Sequence, residues 1–284
     1  MIRFTTVSAL QDFLISKKNQ QESIGFVPTM GALHEGHLSL VKKSMAQNDI
    51  TVVSVFVNPL QFNNPDDLKK YPKVLEKDVE KLQSVGCDVL FAPDYSDVYP
   101  EQISESYDFG YLSRVMEGAH RPGHFNGVAI VVKRLFDIVM PQRAYFGEKD
   151  YQQLLIVKEL VKRHNLPIEI VPVEIVREPH GLAMSSRNEL LSPKAREEAG
   201  LIFKVLTEVK QWHESLSVSE IKEYVKKQFD KNPKFSLEYF EIANSKTLQI
   251  ISDSETGDEM RAFIVVHVEN VRLIDNILLT KKIP

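Results

Sequence analysis

The first two-thirds of the chain alternates short apolar runs with amphipathic segments, and the alternation predicts strand–helix–strand units. Ser23–Pro28 (SIGFVP) reads as a strand stopped by its proline. Thr51–Val57 (TVVSVFV) is nearly all apolar and β-branched, as expected of a parallel strand covered on both faces. Asp88–Pro93, Ala144–Gly147 and Ile168–Val176 are further strand candidates, and Pro172 inside the last marks a bend or an edge position. Between these runs apolar residues recur at helical spacing: Leu38, Val41 and Met45, then Leu75, Val79, Leu82 and Val85. Val128–Val139 and Gln152–Val161 read as long, largely buried helices, and the N-terminal MIRFTTVSALQDFLISKK also has its apolar residues at helical spacing.

Together these elements predict an α/β fold, a Rossmann-like parallel sheet with helices on both faces. In such folds ligands bind at the carboxyl ends of the strands, so the loops that follow strands are where chemistry is expected. After Val176 the pattern changes. A polar loop, REPHGLAMSSRNELLSP, leads into two charged helices over 193–214 and 217–230, then into strand-like runs at Leu237–Ile242 and Ala262–Val268. The expected division is a first domain over 1–176 and a smaller α+β domain over 177–284.

Composition narrows the function classes. The 284 residues are 43% hydrophobic and 26% charged, and 35 basic against 39 acidic side chains give a formal charge of −4. General nucleic-acid binding needs an excess of Lys and Arg and is not expected here, although a small anion in a locally basic cleft remains compatible. The single cysteine, Cys87, excludes an intrachain disulfide and points to a reducing compartment. No run approaches the roughly 20 apolar residues of a bilayer span. The N-terminus lacks the continuous apolar core of a signal peptide. The expectation is a soluble cytoplasmic protein.

Five segments carry residues suited to chemistry. Pro28-Thr29-Met30-Gly31-Ala32-Leu33-His34-Glu35-Gly36-His37 follows the first predicted strand and opens the next helix. A helix N-terminus offers N–H donors and a positive dipole end to phosphate. His34 and His37, three apart, would both point from the first turn toward it. A plain turn with surface histidines is the alternative; zinc fits poorly, because helical zincin spacing is i, i+4. Neither a GxxxxGK[ST] loop nor a GxGxxG pattern is present. Asn58 and Gln61, where the second apolar strand runs out, could orient hydroxyls or a carboxylate, or could merely cap a turn. Gly147-Glu148-Lys149-Asp150 again joins a strand to a helix; Lys149 could neutralise phosphate, or Asp150 could simply cap the helix. Met184-Ser185-Ser186-Arg187 could form a mobile lid over a leaving pyrophosphate, or a polar linker. Glu117–Phe125 (EGAHRPGHF) fits an anion-binding loop around Arg121 better than a metal face on His120 and His124, because Pro122 and Gly123 interrupt any helix between them.

The strings PTMGALHEGH, VSVFVNPLQF, EGAHRPGHFNGV, YFGEKDYQQL and GLAMSSRN together resemble the motifs of one family, the pantoate–β-alanine ligases, in that family's order and spacing. The terminal VRLIDN is similar as well, so the resemblance spans essentially the whole chain. HxGH is the signature of a wider nucleotidyltransferase group that includes class I aminoacyl-tRNA synthetases. MSSR is similar to that group's second loop, with Arg187 where a lysine is often seen. The resemblance implies ATP-dependent condensation of pantoate with β-alanine through a pantoyl-adenylate, releasing AMP and pyrophosphate. It implies an ATP site from Met30, Gly31, Ala32, Leu33, His34, Glu35, Gly36, His37, Gly147, Glu148, Lys149, Asp150, Val176, Met184, Ser185, Ser186 and Arg187. Within that set it gives His37, His34, Lys149 and Arg187 catalytic roles. Gln61 and Gln153 are implied to hold pantoate, and Gln61 to contact β-alanine. Mg²⁺ is implied with ATP, with Asp78 as its protein ligand by family position, although a solvated helix carboxylate is the competing account of Asp78. A homodimer, and a second domain closing over the active site, are implied too. One rival is an adenylyltransferase of the same superfamily, acting in coenzyme biosynthesis. The other is a non-catalytic nucleotide-binding protein, which should lack at least one of His37, Lys149 or Arg187.

Overall fold

The β-branched run around Thr51 is the central strand of a parallel sheet. The computed structural model describes residues 1–63, 65–253 and 259–280. The chain divides into two compact units, Met1–Glu148 with Gln153–Glu174, and Lys149–Gln152 with Ile175–Pro284.

The first unit runs β1 (Ile2–Phe4), α1 (Val7–Asn19), β2 (Ile24–Thr29), α2 (Glu35–Met45), β3 (Ile50–Val55), α3 (Pro65–Lys70), α4 (Leu75–Ser84), β4 (Val89–Phe91), α5 (Tyr95–Val98), α6 (Glu117–His120), α7 (His124–Val139), β5 (Arg143–Gly147), α8 (Tyr151–Arg163) and β6 (Glu169–Val173). Its strands lie in the order β1-β4-β3-β2-β5-β6. All neighbours are parallel; β2 pairs β3 from Ile24↔Ile50 to Thr29↔Val55, and pairs β5 at Gly25↔Arg143. The chain winds outward from β2 through β3 and β4 on one side, and through β5 and β6 on the other. The order therefore reverses between β2 and β5, where the carboxyl ends of doubly wound sheets take their ligands.

Alternation along β2 covers both faces of the sheet. Val27, with Val53 and Leu90, packs against Leu38 and Val41 of α2 and Leu82 of α4. Phe26 turns the other way, its ring edge-on to Phe136 of α7 at 6.3 Å between centroids. Each such fully buried aliphatic or Phe side chain stabilises the fold by roughly 1.5–3 kcal/mol.

The second unit adds α9 (Pro193–Glu198), α10 (Leu201–Trp212), α11 (Val218–Asp230), β7 (Phe235–Asn244), β8 (Glu259–Val268) and β9 (Val271–Thr280). These strands form an antiparallel sheet in sequence order. Ala262, Ile264 and Val266 of β8 and Leu273 of β9 pack on Val205, Leu206 and Val209 of α10 and on Val225 and Phe229 of α11. Among the described residues no helix is long and apolar enough to cross a membrane.

Three elements differ from the sequence pattern. Residues 2–4 form a strand beside β4 instead of beginning a helix, because three residues are too few to display a period of two. The single helix expected over 193–214 breaks at Ala199 and Gly200, where a glycine interrupts it. The strand β9 is a full ten residues, masked in the sequence by the polar pair Asp275–Asn276 at its centre.

Candidate active site

The loop leaving β2 is built against α4. Gly31 and Ala32 both adopt left-handed backbone, with φ of 81° and 50°. At Gly31 the conformation excludes a side chain, since a Cβ would lie 2.9 Å from both Asp78 Oδ2 and Val55 Cγ1. Ala32 takes the same conformation under strain, and Asp78 holds it there. Asp78 Oδ2 accepts the Ala32 N–H at 2.9 Å, and Oδ1 accepts the Leu33 N–H at 2.7 Å. One turn along α4, Lys81 Nζ donates to the Leu33 carbonyl. Thr29 Oγ1 completes the turn, donating to Ser54 O and accepting from Gly31 N. Asp78 is 1% exposed, and burial pushes its carboxyl above the ordinary range against the pull of the two N–H donors and Lys81. An enclosed carboxylate with both oxygens bound to backbone does not fit a metal ligand. Among the described residues no group of three His, Cys, Asp or Glu could hold a metal ion.

The two histidines then form a reciprocal cap on α2. His34 Nδ1 accepts from Gly36 N at 3.1 Å, and His37 Nδ1 accepts the His34 N–H at 3.3 Å. Their rings stack at 4.1 Å between centroids, tilted by 38°. Both Nδ1 atoms are turned inward to backbone N–H groups, which leaves Nε2 as the ring nitrogen that can face a ligand. The sequence predicts backbone N–H donors for phosphate at this turn. Here those of Gly31 to His34, Gly36 and His37 serve the loop itself. The paired imidazoles are therefore the donors suited to an anion.

Beside this loop, at the end of β3, Asn58 is the hub of a buried network. It is 1% exposed; its Nδ2 donates to Gly127 O at 3.0 Å and reaches Gln61 Oε1 at 3.3 Å, and its Oδ1 accepts from Tyr99 Oη at 3.1 Å. Burial keeps the Tyr99 phenol protonated by pushing its pKa upward. Gln61 Nε2 contacts Met30 Sδ at 2.9 Å, so the first two motifs meet. Helix α7 approaches closely enough that a Cβ on Gly127 would fall 2.2 Å from Leu60 O. His124, the first residue of α7, donates from Nδ1 to Gln61 O at 2.8 Å. The fifth motif is thus a support for Gln61. Arg121, expected to centre an anion loop, instead faces Glu117 at 3.7 Å with both side chains largely buried. Gln153 is half-buried on α8.

In the second unit the Ser-Arg loop hangs from a short hairpin. Met184 N donates to Val176 O at 2.9 Å, and Arg177 bridges Ala183 in antiparallel fashion. The Arg177 guanidinium binds Asp275 with two hydrogen bonds, at 2.6 and 3.0 Å, and lies 3.7 Å over the Phe203 ring. Glu178, 8% exposed, accepts from Arg196 Nε and from Asn188 Nδ2; Asn188 also donates to Ala183 O. Ser185 Oγ caps the turn by accepting from Arg187 N at 3.2 Å. Both flanks of the expected lid are therefore anchored. In the same unit the Lys149 carbonyl accepts from Asn276 Nδ2 at 2.9 Å, and Lys149 Nζ lies 3.9 Å from the exposed Asp150. Asn58 and His124 were singled out in the sequence without these roles. Sequence reasoning passes over Tyr99, Glu178, Asn188, Asp275 and Asn276; for the last two a signal exists, a polar pair inside the strand-forming VRLIDN.

The profile of the pantoate-β-alanine ligase family matches residues 2–278. Pantothenate synthetase of Flavobacterium psychrophilum is 49% identical over 281 residues, covering 98% of this chain and all of that protein. The crystal structure of pantothenate synthetase from Thermus thermophilus superposes with a TM-score of 0.91 at 43% identity, covering 99% of this chain and 100% of that one. That of pantoate-β-alanine ligase from Francisella tularensis, complexed with beta-gamma ATP and β-alanine, gives 0.82 at 36% identity, covering 98% of this chain and 97% of that one. On the match over residues 2–278 and on relatives of this identity and coverage, this chain belongs to the pantoate–β-alanine ligase family.

Proposed function

We infer that this chain joins pantoate to β-alanine with ATP, through a pantoyl-adenylate. The observation that carries the inference is the reciprocal His34–His37 cap beside Gln61 at the carboxyl ends of β2 and β3. Adenylation needs no nucleophile from the protein. A pantoate carboxylate oxygen attacks the α-phosphorus, the bond to the bridging oxygen breaks, and pyrophosphate leaves with the electron pair. The β-alanine amine then attacks the acyl carbon, the C–O bond to AMP breaks, and the amine loses its proton as the amide forms. What the protein supplies is position and fixed donors where charge develops. His34 and His37 donate through Nε2–H and stabilise phosphate oxygens by directed hydrogen bonds. Lys149 and Arg187 bring positive charge to the phosphates, and Ser185 and Ser186 bring hydroxyls. Gln61 and Gln153 orient pantoate, with Gln61 also facing β-alanine. The F. tularensis relative, solved with an ATP species and β-alanine, supports the choice of substrates. Mg²⁺ belongs to this reading as the companion of ATP, whose own phosphate oxygens are its ordinary ligands. A homodimer and a cytoplasmic location are part of the same inference, on family grounds; sedimentation of the purified chain tests the first.

The test is to mix the chain with Mg-ATP and pantoate and follow pyrophosphate and AMP. A pyrophosphate burst equivalent to enzyme, followed by AMP turnover only when β-alanine is added, is the expected result. No pyrophosphate with pantoate would overturn the inference and favour an adenylyltransferase that acts on a phosphorylated substrate.

A further inference from the structure

Asp275 and Asn276 lie at the centre of β9, and adjacent strand residues point to opposite faces. Asp275 is 4% exposed and binds Arg177 at the root of the Ser185–Arg187 hairpin. Asn276 is 2% exposed and uses both ends of its amide. Its Oδ1 accepts from Arg261 Nη1, and its Nδ2 donates to the Lys149 carbonyl at 2.9 Å. Arg261 in turn lies 3.7 Å over the ring of Tyr151, which also meets Phe263 at 6.1 Å.

The segment 149–151 is thus held on this sheet at two points, the carbonyl of Lys149 and the ring two residues beyond. Arg261 and Asn276 are bonded to each other, so both points depend on one buried pair. These two anchors flank Asp150 and restrict the backbone from which the Lys149 side chain extends. A buried amide could equally be a local core contact, but this one directs its donor to the carbonyl of Lys149 itself.

We propose that Asn276 is a positioning residue that fixes the backbone from which Lys149 reaches the nucleotide phosphates. The proposal rests on the phosphate role of Lys149 given above. Asn276→Asp is the sharpest probe. It is nearly isosteric and keeps the acceptor for Arg261, but sets a carboxylate oxygen against the Lys149 carbonyl in place of the N–H donor.

Pantoate-dependent pyrophosphate formation is measured by rapid quench in the wild type, Asn276→Asp, Lys149→Ala and the double variant, all checked for native circular dichroism. Asn276→Asp is expected to slow adenylation by roughly 10- to 100-fold, the scale of a small misplacement at a reacting centre, and to leave the pantoate KM unmoved. In the Lys149→Ala background the same change is expected to alter the rate by less than about twofold, because its effect runs through the missing side chain. An equal loss in both backgrounds, or no loss in the wild-type background, would overturn the proposal. No loss from Lys149→Ala alone would instead remove the phosphate role of Lys149, and the proposal with it. If Asn276→Asp does not fold, Asn276→Ala goes through the same cycle, since it removes the donor without adding charge.

Discussion

Replacing His37 by asparagine separates two tasks that one ring performs. Its Nδ1 accepts the His34 N–H at 3.3 Å and closes the cap on α2, while the opposite nitrogen carries the proton proposed to meet phosphate. Asparagine can place an acceptor near the Nδ1 position but extends nothing to Nε2. Losing a capping acceptor costs roughly 0.5–2 kcal/mol of stability. Losing one preorganised donor to developing charge raises a barrier by about 2.7–4 kcal/mol, roughly 100- to 1,000-fold in rate. His37→Ala is therefore expected to lose both, lowering the urea midpoint and slowing adenylation on that scale. His37→Asn is expected to keep the wild-type midpoint and to remain as slow as alanine. The assay pairs urea unfolding with rapid-quench detection of pyrophosphate from pantoate and Mg-ATP. An asparagine variant within about threefold of the wild-type rate would reduce His37 to a helix cap and refute its role as donor.

Gly127→Ala would force α7 away from Leu60, at a cost of about 1–3 kcal/mol for overpacking; a lower melting temperature with a raised pantoate KM is expected, and an unchanged KM would separate this contact from Gln61. Asp78→Asn leaves one of the Ala32 and Leu33 N–H groups facing an amide donor, an unpaired buried group worth about 1–3 kcal/mol. Its melting temperature should fall while the Mg²⁺ dependence of the rate stays put; a shifted Mg²⁺ requirement would return Asp78 to the metal. Burial pushes the Glu178 carboxyl up, but the hydrogen bonds from Arg196 and Asn188 and the nearby positive charge pull it below its ordinary 4.5. A depressed carboxylate contributes stability above its unfolded value and loses it as pH falls through the folded one. Glu178→Gln should thus be less stable than wild type at neutral pH, with the gap closing below pH 4.5; a gap that persists in acid would contradict the Glu178–Arg196 pairing as its source.

The sheet was legible because β2, β3 and the long α7 are apolar runs long enough, and bounded clearly enough, to fix their type. β1 was not, since a three-residue edge strand has no measurable period. The site divides along similar lines. His34, His37, Gln61, Lys149 and Arg187 are candidates by residue type beside strand ends and turns, and the resemblance supplies the roles proposed for them. Asp78 enters only through the resemblance, as a metal ligand; its partners are backbone groups about 45 residues earlier, and no spacing rule encodes such a contact. His124 read as part of a loop of its own because its acceptor, Gln61 O, lies 63 residues away. Which ring nitrogen of each histidine is left for a ligand was equally hidden: it follows from which nitrogen each backbone N–H meets, and only the folded turn decides that. Asn276 shows the limit most plainly, since its link to Lys149 spans 127 residues.

The most direct measurement uses pantoate labelled with ¹⁸O in its carboxylate. After turnover with Mg-ATP and β-alanine, the phosphorus products are separated and weighed by mass spectrometry. Attack on the α-phosphorus carries one carboxylate oxygen into AMP, so AMP heavier by one ¹⁸O with unlabelled pyrophosphate is the predicted result. Unlabelled AMP, or label in inorganic phosphate alongside ADP, would contradict the pantoyl-adenylate and the role of the histidine pair with it.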